Sequence, residues 1–370
     1  MSQADRVVVI CNLQAGTYAG SHGFIGRELV SQLCGKVASV MVVGWSVASD
    51  WAIEGAKYVN GDVMDAGRML QVLDGATVAY QLTTERDFVI GARNVAEACL
   101  RHKIRRLIFN STCDAIYLGC RGRIDESAGH DAEPHLRNPY ARAKVESEKL
   151  LLQYHEAQGL PIVIVRPCIT VGRGGPIAHG GIGMWRAPTC LVGWGNGKNL
   201  MPFVLVQDVA SALILAMDAP NIDGKAFNVG GDVFLSAREY VRLVGEHTLR
   251  NFRFYPRNLM LFNAKIVMKA IIKRLLRRNG QRQYYRDILS SAMFSQIDNQ
   301  GAKKALGWEP NADLNVFIRE AIDCHVPALD PGDLRLTPPA SSGRFQKDLD
   351  AKSGPPNESP RHAVSNGGVY

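Results

Sequence analysis

Tyr140 and Lys144 stand four residues apart in Asn138-Pro139-Tyr140-Ala141-Arg142-Ala143-Lys144. Proline at a first helical position sacrifices no hydrogen bond, so the segment reads as a helix start, and residues four apart then share one face. A free phenol titrates near 10 and is a poor acid or base at neutral pH. An ammonium at about 4 Å would stabilise its phenolate by roughly 4 kcal/mol at an effective dielectric near 20, on the order of three pKa units. The pair therefore suits proton transfer to and from a substrate oxygen. About 30 residues upstream, Ser111 and Thr112 close the apolar run Ile108-Phe109-Asn110 and offer hydroxyls to hold that oxygen. Hydroxyls at a strand end also commonly shape turns.

A second chemistry-bearing segment is Gly20-Ser21-His22-Gly23-Phe24-Ile25-Gly26, which opens the amphipathic stretch FIGRELVSQL. Residues without a Cβ let backbone approach a pyrophosphate, and a helix N-terminus presents free N–H groups and positive dipole to it. Gly61-Asp62, after the third strand candidate, places a carboxylate where it could accept from an adenine amino group. Against this stands the segment Cys11 to Ala19, between the first strand and Gly20, where a tight strand-to-helix turn leaves almost nothing. Either the loop bulges over the cofactor site, or the site is damaged, or the segment is a gene-model error. The second strand candidate ends in Val43-Gly44-Trp45-Ser46, without the acid that would hold a ribose 2′-hydroxyl or the arginine that would hold a 2′-phosphate. NAD and NADP both stay open.

These residues need a scaffold, and the chain supplies the rhythm of one. Short β-rich runs at Arg6 to Ile10, Val40 to Gly44, Ala56 to Val59, Thr77 to Leu82, Arg106 to Asn110, Ile162 to Arg166 and Ala226 to Val229 alternate with helical patterns. Helices are expected at Phe24 to Gly35, Ile90 to Arg101 and Pro139 to Gln158. Continuous Val/Ile/Leu runs suit strands buried on both faces of a parallel sheet, so the expectation is an α/β, Rossmann-type doubly wound sheet with a smaller, mostly helical C-terminal substrate domain. The expected division is a dinucleotide domain over 1–245 with an excursion at about 172–203, a substrate region over 246–325, and a disordered Pro/Gly/Ser-rich tail over 326–370. DNQGAKKALGWEPNADLNVFIREAI reads as a turn followed by one closing helix.

The composition is ordinary for a globular chain of 370 residues, 46% hydrophobic and 21% charged. No run approaches the roughly 20 apolar residues of a membrane span, and the N-terminus carries no signal sequence, so a cytoplasmic protein is expected. Eight cysteines lie singly, without metal-ligand spacing, and no metal is expected. The net charge of +8 is uneven: Arg250 to Arg286 holds eleven Lys and Arg and no acid, leaving 8 − 11 = −3 for the rest. No nucleic-acid partner is expected from that distribution.

Together the motifs GSHGFIG, Gly61-Asp62, IGARNVAEAC, IFNST, NPYARAK, LPIVIVRPCITVGRG and FVLVQDVASALILAM resemble the extended short-chain dehydrogenase/reductases, the NAD-dependent epimerase/dehydratases, over roughly residues 6 to 325. The resemblance implies an enzyme in which Tyr140 is the acid/base, Lys144 holds the ribose and lowers the tyrosine pKa, and Thr112 orients the substrate oxygen, with Ser111 in reserve. It also implies cofactor contacts at Gly20, Gly23, Phe24, Ile25 and Gly26, at Asp62 and Val63 flanking adenine, at Leu82 and Thr83, and at Pro167 facing the nicotinamide. Arg166-Pro167 and Asp208 would be scaffold and substrate-cleft features rather than chemistry, and a homodimer through helices including Pro139 to Gln158 is implied.

Dehydratases of that family follow the threonine with Asp-Glu, whereas Thr112 is followed by Cys113 and Asp114, which disfavours dehydration. Oxidoreduction and epimerisation remain. The segment GRGGPIAHGGIGMWRAPTCLVGWGNGKNLMPFVLVQD resembles epimerase-like proteins of bacterial polysaccharide genes, implying a nucleoside-diphosphate sugar, with Arg173, Arg186, Lys198, Arg250 and Arg257 as candidate diphosphate contacts. An alternative comes from NLMLFNAKIVMKAIIKRLLRR, where apolar residues and Lys265, Lys269, Lys273 and Arg277 segregate as in a helix lying on an anionic membrane over about 258–278. A steroid or lipid alcohol dehydrogenase would use such a surface. A non-catalytic dinucleotide sensor is the third possibility, although such a protein has no need of Tyr140 and Lys144.

Overall fold

The computed structural model describes residues 4–11, 23–44, 52–83, 88–187, 189–276 and 284–328. Gly20, most of the Cys11 to Ala19 segment, Arg277 and residues 329–370 of the tail lie outside the described residues. The chain begins with β1 (Arg6–Ile10), α1 (Phe24–Leu33), β2 (Ser39–Gly44), β3 (Ala56–Asn60), α2 (Ala66–Val72), β4 (Val78–Gln81), α3 (Phe88–Arg101) and β5 (Arg106–Asn110). Then come β6 (Gly122–Ile124), α4 (Pro139–Gln158), β7 (Ile162–Pro167), β8 (Ile169–Val171), β9 (Gly183–Ala187), β10 (Cys190–Gly193), β11 (Leu200–Met201) and β12 (Phe203–Leu205). After these run α5 (Val206–Asp218), β13 (Lys225–Val229), β14 (Leu235–Ser236), α6 (Ala237–Thr248), β15 (Arg253–Tyr255) and α7 (Leu259–Leu275). The described chain closes with α8 (Tyr285–Ser291), β16 (Ser295–Ile297), α9 (Gln300–Leu306) and α10 (Leu314–Ala321).

Seven strands form one parallel sheet in the order β13-β7-β5-β4-β1-β2-β3. Alternate residues of its apolar runs bury on opposite faces. Val7, Val9, Val78, Tyr80, Ile108, Val163 and Val165 pack with α1 and α5, while Val8, Ile10, Ala79, Leu107, Phe109, Ile162 and Ile164 pack with α2, α3 and α4. Strand order reverses between β1 and β4, and a crevice opens beyond the carboxyl ends of strands at such a switch point. The expected strands and the three expected helices are all present, with ends shifted by a residue or two.

A second core forms around Trp185, Leu191, Phe203, Tyr240, Val241 and Phe317. β10 pairs antiparallel with β9 and parallel with β15, so the 172–203 excursion and the segment after α6 share one small sheet. One expectation is corrected. Within the stretch expected to be a turn, Gln300–Leu306 is a helix, α9, because Ala302 and Leu306 bury against the main core and Gly307 ends it in the left-handed conformation at φ 64°.

Candidate active site

Of the catalytic and cofactor candidates among the described residues, Leu82 and Thr83 follow β4, Thr112 follows β5, Pro167 ends β7, Gly23 to Gly26 open α1, Tyr140 and Lys144 lie in the first two turns of α4, and Asp62 and Val63 follow β3. α4 starts cleanly for local reasons: the Asn138 side chain accepts from the Ala141 N–H at 2.9 Å, and Pro139 follows it. Asp287 of α8 accepts from the Asn138 N–H at 3.1 Å and from its side-chain amide at 2.9 Å, so α8 braces the entry to α4.

Tyr140 is half-buried one residue into that helix and hydrogen-bonds Thr112. Thr112 itself caps a short turn, accepting from the Asp114 N–H at 3.2 Å. The phenol is pushed above its ordinary value of 10.0 first by burial and then by the Asp114 carboxylate, with the Thr112 hydrogen bond acting the other way. The phenol of the free protein is therefore a protonated acid at neutral pH, not the poised phenolate expected from a nearby cation. The reason is that desolvation of the anion outweighs the attractions that would stabilise it.

Lys144 is fully buried. Its ammonium donates to the Asn110 carbonyl at 2.8 Å and the Thr83 carbonyl at 3.2 Å, and sits 4.7 Å from the centre of the Phe109 ring. Burial lowers its pKa to about 7, opposed by Glu148 one turn further along α4. Glu148 is held at about 2, despite its own burial, by Arg166, His130 and Ser111. Arg166 Nη2 lies 2.6 Å from Glu148 Oε2, and His130 Nε2 lies 2.9 Å from the same oxygen. The Ser111 hydroxyl donates to Glu148 Oε1, so Ser111 is committed to the ion cluster and leaves Thr112 beside Tyr140. Arg166 is thereby committed to the Glu148 carboxylate.

A dinucleotide fits these residues. Among the described residues α1 has no acid in its first turn and no side-chain cap at Gly23, an N-terminus of the kind that suits an anion. A Cβ on Gly26 would meet Cys11 Sγ at 3.5 Å and Leu82 Cδ2 at 3.8 Å, which brings the end of β1, the start of α1 and the residue after β4 together. Phe24, Ile25, Leu82 and Thr83 are buried near this junction, and Pro167 is buried at the end of β7. Gln81 Oε1, at the end of β4, is buried with no partner among the described residues, while the Gln81 amide donates to Thr83 Oγ1 at 3.2 Å. Asp62 uses one carboxylate oxygen to accept from the Met64 N–H at 2.9 Å, and the Val63 carbonyl accepts from Asn94 at 2.8 Å.

Of the five candidate diphosphate contacts, Arg173, Arg186 and Lys198 are exposed. Arg257 lies over the Phe262 ring at 3.9 Å, and its N–H binds the Gly195 carbonyl at 2.7 Å. Asp208 accepts from the Asn311 N–H at 3.0 Å and so clips the C-terminal segment to α5. Sequence reading missed Glu148, His130 and Asp287. Glu148 carries a signal, being the next i+4 position after Lys144, whereas His130 and Asp287 have none in their local sequence.

Comparison with known proteins follows the same outline. The NAD dependent epimerase/dehydratase family matches residues 19–230. A 3beta-hydroxysteroid-dehydrogenase/decarboxylase isoform 2 of Arabidopsis thaliana is 24% identical over 244 residues, covering 59% of this chain and 42% of the plant protein. The UDP-glucose 4-epimerase of Mycolicibacterium smegmatis is 24% identical over 334 residues, covering 82% of this chain and 96% of that protein. The chain spans 42% to 65% of the length of the first curated relatives it matches. Among solved structures, UDP-glucose 4-epimerase from Brucella ovis in complex with NAD superposes with a TM-score of 0.63 at 21% identity, covering 87% of this chain and 98% of that one. That likeness is one of fold. The family match takes in more than half of the chain, from the glycine loop through β13, and on that ground the chain belongs to the NAD dependent epimerase/dehydratase family.

Proposed function

We propose that this chain moves a hydride between a nicotinamide dinucleotide and a secondary alcohol or ketone, most simply that of a nucleoside-diphosphate sugar, with Tyr140 as the acid/base. The observation that carries the reading is the Tyr140–Thr112 hydrogen bond at the start of the helix that also holds buried Lys144 against the end of β5. When bound, the nicotinamide accepts or returns the hydride. Thr112 would orient the substrate oxygen and Tyr140 would move its proton. In the ketone-to-alcohol direction the protonated phenol is ready to donate to the developing alkoxide. In the opposite direction the phenol must first be drawn down, and Lys144, four residues on along the same helix face, is the cation the sequence places to do so. The cluster of Glu148, Arg166 and His130 fixes the second turn of α4 and with it the reach of Lys144.

The sugar-nucleotide substrate is supported by the Mycolicibacterium relative, whose whole length the chain nearly covers. A homodimer through a face including α4 and a cytoplasmic location belong to the same proposal. Arg142 and Glu146 on α4 are about half-exposed and so available to a second copy, and the eight cysteines are unpaired. A second reading, a steroid or lipid alcohol dehydrogenase, is favoured by the sterol-type relatives and by α7, whose apolar residues face outward.

Replacing the phenol tests the proposal directly. Tyr140→Phe should lower turnover by about 10²- to 10⁴-fold, the usual worth of general acid–base catalysis, while fluorescence titration shows nicotinamide dinucleotide binding unchanged. Undiminished turnover in that variant would reject it. For the substrate, chromatography of a nucleotide-sugar panel detects epimerisation, and nicotinamide absorbance with sterols or 3-oxoalkanoates detects net oxidoreduction.

A further inference from the structure

α7 packs on the body through one narrow edge. Leu259, Phe262 and Ile266 are half-buried there, and the Arg257 guanidinium covers the Phe262 ring at 3.9 Å. The opposite half of the helix is apolar and faces outward. Met260 is 74% exposed, Leu261 64%, Met268 59%, Ile271 55%, Ile272 50% and Leu275 77%. A surface helix of a water-soluble body carries its apolar stripe inward. α7 does the reverse over a length of about 26 Å, from its 17 residues at the usual rise.

Lys265, Lys269 and Lys273 recur every fourth residue along the flank between the inward edge and the outward face. From Arg250 to Arg286 the chain has eleven cations and no acid, while the remainder has a net charge of −3 by the same count. Lys265, Lys269 and Lys273 thus set cations beside the apolar face of α7, within a stretch of sequence that has no acid. From this arrangement we infer that α7 is a docking helix for an anionic lipid surface, lying in the plane of the headgroups with its apolar half in the acyl region. Lysines on the flank would keep their stems in the apolar layer and their ammonium groups at the phosphates. Among the described residues no helix is long and apolar enough to cross a membrane, so the contact is peripheral.

Charge argues against the other occupants. A second copy docked on the same face would bring two acid-free basic segments together. The tail after residue 328 has five acids and five basic residues by count and no apolar run to match α7. The inference shares the outward face of α7 with the lipid-substrate reading but requires neither a lipid substrate nor catalysis.

The test is co-sedimentation of the full chain with vesicles. Binding to equimolar phosphatidylcholine–phosphatidylglycerol, weakened by salt, and none to phosphatidylcholine alone is the expected result. Lys265→Gln/Lys269→Gln/Lys273→Gln should bind on the order of a hundredfold more weakly, at roughly fivefold per lysine. Met268→Gln/Ile272→Gln alters two exposed side chains and should release the protein from vesicles with its circular dichroism and melting unchanged. If the wild-type chain stays in the supernatant with anionic vesicles, the inference is wrong. It is equally wrong if the Met268/Ile272 variant converts a dimer to a monomer in sedimentation velocity, since α7 would then be covered by a second copy. Should either variant misfold, the anionic-against-neutral comparison with the wild-type chain decides alone.

Discussion

Burial holds the Lys144 ammonium at a pKa of about 7, against an ordinary 10.5, with Glu148 as the opposing influence. Unfolding returns the lysine to its ordinary range. Between pH 7 and about 10 the unfolded chain therefore holds more protons than the folded one, and stability rises with pH across that window and levels off below it. The slope from this group reaches at most about 1.4 kcal/mol per pH unit, one proton's worth. Lys144→Met should flatten the pH dependence of the denaturation midpoint over pH 7 to 10, and an unchanged profile would mean that Lys144 is solvated in solution. At this scale the Tyr140–Lys144 spacing was legible because a helix repeats every 3.6 residues. The direction of the Tyr140 shift was not, since it depends on burial and on Asp114, which approaches from a different loop.

Helix α4 matches its sequence-predicted bounds because both of its ends are written locally, in Asn138-Pro139 and in Gly159. Gly159 sits at φ 70° with nothing within 4 Å of the position a Cβ would take, so Gly159→Ala should cost about 1 kcal/mol through backbone conformation alone. Chemical denaturation would measure it, and a loss several times larger would indicate a steric conflict that the structure does not contain. Asn138→Ala acts at the other end. It removes the cap on Ala141, worth about 1 kcal/mol, together with the side-chain bond to Asp287. Because α8 braces the turn that carries Tyr140, that variant should lower kcat more than it raises KM, a split that steady-state kinetics resolves. The bracing itself was illegible: Asp287 lies 149 residues from Asn138.

Across the whole molecule, the C-terminal segment is tied into the Rossmann core rather than merely attached to it. Trp308 is fully buried in the core formed with α1 and α5, and its indole donates to the Asp208 carbonyl at 2.8 Å. Trp308→Ala removes that volume and that bond, and a loss of about 3–5 kcal/mol is expected from cavity formation. Equilibrium unfolding followed by circular dichroism should show one transition shifted to lower denaturant. An unshifted main transition with a separate early phase would mean that the two cores unfold independently.

The positions of the sheet's strands along the chain, the bounds of α4, the glycine-opened α1 and the Tyr-x-x-x-Lys turn were determined by the sequence alone, because each rests on backbone periodicity or on punctuation within a few residues. Tertiary structure decided the rest. It turned Ser111 onto Glu148 and left Thr112 to Tyr140, gathered His130 and Arg166 around one buried carboxylate, and sent the apolar half of α7 outward. Periodicity tells that a helix has two faces; which of them meets the protein depends on the surfaces that distant segments present to it.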